Sequence, residues 1–387
     1  MKSNDISVLV CDDSALMRNL IGRIVEGAEG LTLAGKAMNG KFALEKIPKL
    51  NPDIIVLDLE MPEMNGIEFL KERKKRNIDI PVVILSSVAK KGAEVTMEAL
   101  SLGAVDFIMK PSDTNTLDLT EIAEHMINTL IAYGRKYKSG IEPTPGMPGI
   151  SAPTPAAVLR PYPATAFDTA EKGGLSIRAN YNNFPVRAAN REETKRIEIV
   201  VIGISTGGPN ALREVFKNID PNLKVPVLVV QHMPAGFTEE FARSLDRICP
   251  LPVKEAVSGD LLSPGRVLIA PGSAHLKVER RRLAVVAELD ESEVVNGHRP
   301  SADVLFASAS RAYGGNVLGV IMTGMGKDGA RELGTLYNKG AVTIGQDEES
   351  SIVYGMPKVA FEAGYIDYQL PLSEIAPKIS EIVRERA

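Results

Sequence analysis

Nine short runs of apolar, mostly β-branched residues decide what this chain can fold into. Four lie in its first third (SVLVCDD, DIIVLDL, PVVILSS, AVDFIMK) and five in its second half (IEIVVIGIS, VPVLVVQH, GRVLIAPG, NVLGVIMTG, AVTIG). Each is nearly continuous rather than alternating, and amphipathic stretches of helix length separate them. Strands buried on both faces read this way, so the pattern predicts α/β architecture with doubly wound parallel sheets. In such sheets functional groups gather beyond the carboxyl ends of the strands. The residues that end each run are therefore the ones that carry information.

Between the two sets the rhythm stops. Residues 141–163 hold seven of the 25 prolines, mixed with Ala, Gly, Ser and Thr. Such a stretch buries too little apolar surface to offset its ordering entropy. It predicts a flexible linker over residues 135–195, joining a domain at 1–134 to one at 196–387, and 387 residues suit two domains. Charge follows the same division. Lys plus Arg against Asp plus Glu is 15 to 20 in residues 1–134, 10 to 5 in 135–196, and 20 to 24 beyond. Two acidic domains exclude a protein that works by wrapping nucleic acid. Cys11 and Cys249 are too few for a disulfide framework. No apolar run approaches 18 residues and the first residues lack an apolar signal core, so we expect a cytoplasmic protein with no direct membrane insertion.

In the first domain four run ends turn polar together. SVLV leads into Cys11, Asp12 and Asp13; DIIVL ends in Asp58; PVVIL ends in Ser86 and Ser87; AVDFIM ends in Lys110. On one edge of a parallel sheet these carboxylates would form an acidic pocket suited to a hard divalent cation such as Mg²⁺. A carboxylate there can also attack phosphorus and become an acyl phosphate. The alternative is that each Asp merely starts a turn. The segments VLVCDDSALMR, DIIVLDLEMPEMNGIEFL, PVVILSS and GAVDFIMKP resemble the motifs of response-regulator receiver domains, in order and spacing. That resemblance implies a flavodoxin-like fold with Asp58 as phosphoacceptor and Mg²⁺ held by Asp12, Asp13, Asp58 and the Glu60 carbonyl. It further implies Ser86 as switch hydroxyl, Phe107 as the rotating aromatic, Lys110 as the phosphate-binding ammonium, and a sensor histidine kinase as phosphodonor.

In the second domain Gly203-Ile204-Ser205-Thr206-Gly207 fits G-x-S-x-G between a strand and a helical stretch. A serine on such a turn is an exposed hydroxyl beside backbone N–H groups, though similar turns also cradle phosphates. A weak nucleophile needs a base. Of four histidines, His232 ends the next apolar run and is the best placed, with His275 in reserve. His298 sits in the polar NGHRP, and His125 reads as a surface residue of the first domain. Asp328, in NVLGVIMTGMGKDGARELG, either caps a helix or orients the imidazole. The chain order Ser, His, Asp is not that of α/β-hydrolases.

The segments VVIGISTGGPNAL, VVQHMPAGFTEEFA, VLIAPGSAHL, NGHRPSADVLF and GVIMTGMGKDGA resemble the catalytic domain of chemotaxis-type protein-glutamate methylesterases, and an N-terminal receiver strengthens that match. The resemblance implies a Rossmann-like domain with Ser205 as nucleophile, His232 as general base and acid, and Asp328 as orienter. Thr206 and the backbone near Met325 would flank the oxyanion, with no cofactor for the ester chemistry. Lys327 stands where many members carry Asn or Asp. The implied substrates are glutamyl methyl esters, and some glutamines, on chemoreceptor cytoplasmic helices, giving adaptation under control of a chemotaxis-type sensor kinase. An unphosphorylated receiver would cover the active site.

Overall fold

The computed structural model describes residues 5–87, 90–110, 116–140, 191–194 and 196–387. Most of the expected linker, 141–190, lies outside the described residues. The first unit runs β1 (Ile6–Cys11), α1 (Ala15–Glu26), β2 (Leu31–Ala37), α2 (Gly40–Leu50), β3 (Ile54–Asp58), α3 (Gly66–Lys75), β4 (Val82–Ser86), α4 (Lys90–Ser101), β5 (Asp106–Met109) and α5 (Thr116–Lys138). Its sheet is parallel throughout, in the order β2-β1-β3-β4-β5. The order reverses between β1 and β3, and the crevice there receives Asp12, Asp13 and Asp58. The strand β2, LTLAGKA, is absent from the apolar runs because it is an edge strand with half-buried residues.

The second unit contains β6 (Ile199–Ile204), α6 (Gly208–Lys217), β7 (Val227–Gln231), α7 (Phe237–Asp246), β8 (Val253–Glu255), β9 (Val267–Ile269), β10 (His275–Arg280), β11 (Val285–Asp290), α8 (Ala302–Tyr313), β12 (Val317–Ile321), α9 (Ala330–Asn338), β13 (Val342–Gln346), α10 (Met356–Glu362), β14 (Tyr368–Leu370) and α11 (Leu372–Arg386). Seven strands form a parallel sheet ordered β14-β13-β12-β6-β7-β9-β8. The sheet is wound outward from β6 in both directions, so β12, β6 and β7 lie side by side at the switch point. The antiparallel hairpin β10-β11 stands apart from the sheet. Val200, Ile202, Val229 and Val320 pack into one core layer, and Ile199, Val201, Val230 and Ile321 into the other.

The two units touch. Helix α4 packs against α7, and Phe107 on β5 stacks on Phe237 of α7 with ring centroids 5.1 Å apart. Asp106 accepts a hydrogen bond from the Gly207 N–H at 2.9 Å. In return Asn210 donates to the Ala104 and Val105 carbonyls at 3.1 and 3.0 Å. Helix α6 has only Gly207 at its N-cap and no capping side chain of its own. The Asp106 carboxylate of the first unit binds the N–H of this N-cap residue from across the boundary between the units.

Candidate active site and acidic pocket

The acidic pocket has the composition that the strand ends predict. Asp12, Asp13 and Asp58 bring carboxylate oxygens within 4.8 Å of one another. Lys110 Nζ lies 2.7 Å from Asp58 Oδ2 and 3.2 Å from Asp12 Oδ2, and those two oxygens accept no other protein hydrogen bond among the described residues. Burial pushes the Asp58 carboxyl up, against the opposing pull of Lys110. Carboxylate oxygens with spare acceptor capacity around a gap of this size fit a divalent cation. Asp58, Glu60, Ser86 and Lys110 line one small cavity. Ser86 Oγ is 2.7 Å from Thr96 Oγ1, so this hydroxyl is engaged by α4.

The second site lies beyond β6, β7 and β12. Ser205 follows β6, and its N–H donates to the Thr323 carbonyl at 2.9 Å, which locks the serine turn to the neighbouring strand end. The turn is tight because Gly207 adopts φ +78° and Gly208 sits against Gln231. A Cβ on Gly208 would meet Gln231 Oε1 at 1.9 Å. Gln231 Nε2 in turn donates to the Ser205 and His232 carbonyls, both at 3.0 Å, and ties the two strand ends together. On the other side a Cβ on Gly324 would lie 2.7 Å from Ser205 Cβ, so glycine is needed for that approach.

His232 follows β7, and its Nε2 lies 2.8 Å from Asp328 Oδ2. Nδ1 is buried and has no hydrogen-bond partner among the described residues. With Nε2–H donating to the carboxylate, Nδ1 carries the lone pair available as base. Asp328 does not cap the helix that follows it, α9, whose N-cap is Gly329. It sits instead at the N-terminus of α8. Ala302 N–H donates to it at 2.6 Å, Ser301 Oγ at 2.6 Å and Asn296 Nδ2 at 2.8 Å. Burial alone would raise its pKa, but His232, Ser301 and Asn296 overcome that and hold the carboxyl well below the ordinary range. A carboxylate held in its charged form in this way could orient the imidazole.

Ser205, Thr206, His232, His298 and Met325 line one cavity of about 470 Å³. Two histidines depart from their sequence reading. His125 is not an ordinary surface residue: it projects from α5 of the first unit into the wall of this cavity, and burial holds its imidazole below the ordinary value. The reserve base His275 lies away from the cavity wall. It is fully buried, with Nε2 3.0 Å from the Glu293 carbonyl and Nδ1 accepting from Ser301 N–H. Asn296, Ser301 and Gln231 escaped the sequence reading, since none ends an apolar run with a chemically reactive group. The N-G pair at 296–297 was the one available signal, as a turn.

A CheB methylesterase family model matches residues 200–379, and a response regulator receiver domain model matches residues 8–120. A protein-glutamate methylesterase/protein-glutamine glutaminase of Treponema denticola is 54% identical over 385 residues, covering 99% of this chain and 100% of the relative. Its counterpart in Treponema pallidum is 49% identical over 396 residues, covering 98% and 97%. The crystal structure of the Thermotoga maritima CheB methylesterase catalytic domain aligns at 42% identity and TM-score 0.47, covering 48% of this chain and 98% of its own. Likeness that runs the length of both domains makes this chain a member of the protein-glutamate methylesterase/protein-glutamine glutaminase family, a hydrolase joined to a receiver domain.

Proposed function

We propose that Ser205, His232 and Asp328 carry out the ester hydrolysis, and that phosphorylation of Asp58 releases it. Ser205 Oγ attacks the γ-carbonyl of a glutamyl methyl ester while His232 Nδ1 takes its proton. Backbone N–H groups around Thr206 and Met325 receive the oxyanion. The imidazolium then protonates the departing methoxide, and methanol leaves an acyl-serine. A water attacks the acyl carbon and gives its proton to His232; the imidazolium then protonates Ser205 Oγ as the acyl C–Oγ bond breaks, and the free glutamate leaves. On a glutamine side chain the same steps release ammonia. Each turnover adds a negative charge to a helix of a chemoreceptor's cytoplasmic bundle, a local electrostatic change able to bias its packing. The enzyme works in the cytoplasm, and among the described residues no helix is long and apolar enough to cross a membrane.

In the receiver, Asp58 would attack the phosphorus of a phosphohistidine on a chemotaxis-type sensor kinase, forming an acyl phosphate and freeing the imidazole. Asp12, Asp13, Asp58 and the Glu60 carbonyl would hold Mg²⁺, which neutralises charge on the transferring phosphoryl group. Lys110 pairs with the phosphoryl oxygens. Ser86 turns toward them and gives up Thr96 of α4, the helix packed on α7. Phe107, stacked on Phe237, leaves the same interface.

The observation that carries the reading is the shared cavity, in which His125 of the receiver stands beside Ser205 and His232. A receiver so placed restricts entry of a helical substrate. Ser205→Ala is expected to abolish methanol release from methylated receptor while Asp58 phosphorylation continues; retained turnover would sink the assignment.

A further inference from the structure

The chain between β11 and α8 forms a two-residue reverse turn. Asn296 and Gly297 both have positive φ, +54° and +79°. Val295 and His298 exchange both backbone hydrogen bonds at 3.0 Å. This is the mirror-image turn that Asn-Gly favours. Asn296 is exposed and His298 half-buried, yet both side chains reach back to the site. Asn296 Nδ2 donates to Asp328 Oδ1 and to Asp303 Oδ2, each at 2.8 Å. The His298 ring stacks on His232, centroids 3.8 Å apart and planes 19° from parallel. One four-residue turn thus grips the carboxylate through an amide and the imidazole through a ring face.

We propose that Asn296 and His298 are positioning residues for the esterase, setting the Asp328–His232 pair in the register from which His232 serves Ser205; this rests on the triad reading above. A single hydrogen bond from Nε2 to Asp328 fixes a direction but lets the imidazole pivot about it, swinging Nδ1 off the serine. A ring stacked against its face removes that freedom. The stacked partner must also be neutral, because a second cation would oppose the imidazolium formed when His232 takes the serine proton. Burial, and then the proximity of His232, bring the His298 imidazole down to about 4, with Asp328 and His125 the other titratable groups acting on it. Asn296 complements this on the acid side. The amide spans two carboxylates and spends one N–H on each, so Asp328 is tied to the start of α8 and to Asp303 as well as to His232. Glycine would satisfy the backbone of the turn at position 296 equally well, so the amide is there for what it touches.

The test uses the full-length protein, methanol release from methylated receptor, and the variants Asn296→Gly, His298→Ala and His298→Phe. Asn296→Gly and His298→Ala are expected to lower kcat about ten- to a hundredfold with KM changed less than about twofold, the pattern for misplaced catalytic groups. His298→Phe, which restores a flat ring, is expected to return kcat to within about threefold of the parent. The proposal is overturned if His298→Phe is as impaired as His298→Ala with both folded, if KM rises at constant kcat, or if kcat is unchanged in Asn296→Gly and His298→Ala. Ser205→Ala run beside them separates the cases: a dead serine variant with unaffected turn variants removes only this inference, whereas an active one removes the triad itself.

Discussion

Asp58 and Asp328 are both buried carboxylates at the ends of parallel strands or just beyond them, yet their surroundings are opposite. Among the described residues, Asp58 has the Glu60 N–H at 3.2 Å on one oxygen and only the Lys110 ammonium on the other. Burial dominates there and its carboxyl is pushed up. Asp328 receives His232, Ser301, Asn296 and Ala302, and its carboxyl is held down. A carboxylate with acceptor capacity to spare is open to a cation or a phosphoryl group. One whose lone pairs are all engaged can only orient its neighbours. On the function proposed above, the same side chain serves as reagent in one domain and as scaffold in the other, according to how many donors surround it.

Isosteric replacement probes that contrast most directly. Asp328→Asn is expected to lower kcat for methanol release by on the order of 10³–10⁴, because an amide cannot hold the imidazole in the required tautomer. A loss below tenfold would show that Asp328 is merely structural. Asp58→Asn should preserve basal turnover and remove all stimulation by a phosphodonor; full stimulation of that variant by acetyl phosphate would refute the gate. Chelation of divalent cations should divide the domains in the same way, stopping phosphate incorporation at Asp58 and leaving basal methanol release unchanged. Loss of basal release on chelation would place a metal in the ester chemistry instead.

Smaller effects test how the domains communicate. Phe107→Ala removes the ring stacked on Phe237, and should raise methanol release without phosphodonor about three- to tenfold by shifting the equilibrium toward the undocked form. Unchanged basal activity would mean the contact does not restrain the enzyme. The smallest effect concerns Asp303, whose carboxyl is raised to about 6 by burial and by Asp328. Because the native state binds this proton more tightly than the unfolded chain, its contribution to stability declines as pH rises from about 4 through 6. Thermal unfolding of Asp303→Asn should therefore lack that part of the decline; an identical pH slope in the two proteins would contradict the assignment.

Much of this was legible in order along the chain. Strand ends are visible because a polar residue closing an apolar run has little structural reason to be there, which is why Asp12, Asp58, Lys110, Ser205 and His232 stood out. Asp328 was ambiguous between capping a helix and orienting an imidazole, and the structure gives it contacts of both kinds: it meets the N-terminus of α8, far away in sequence, while pairing with His232. Asn296 and Ser301 were illegible because their role is a hydrogen bond to one distant oxygen, for which a polar loop residue carries no periodic signal. His125 was misread because its helix was considered alone. Its surroundings are set by the other domain.

The sequence by itself determined the two parallel sheets, the proline-rich stretch between them, and the reactive groups at the strand ends. These follow from short-range periodicity, since continuous apolar runs can be buried only in a sheet covered on both faces. Only the tertiary structure decided what each reactive group is equipped to do. The number of donors around Asp58 and Asp328, the His298 ring on His232, and the receiver carboxylate on the N-cap residue of α6 are contacts between residues tens to more than a hundred positions apart. They depend on strand order and on how the two domains meet, which no local pattern in the chain encodes.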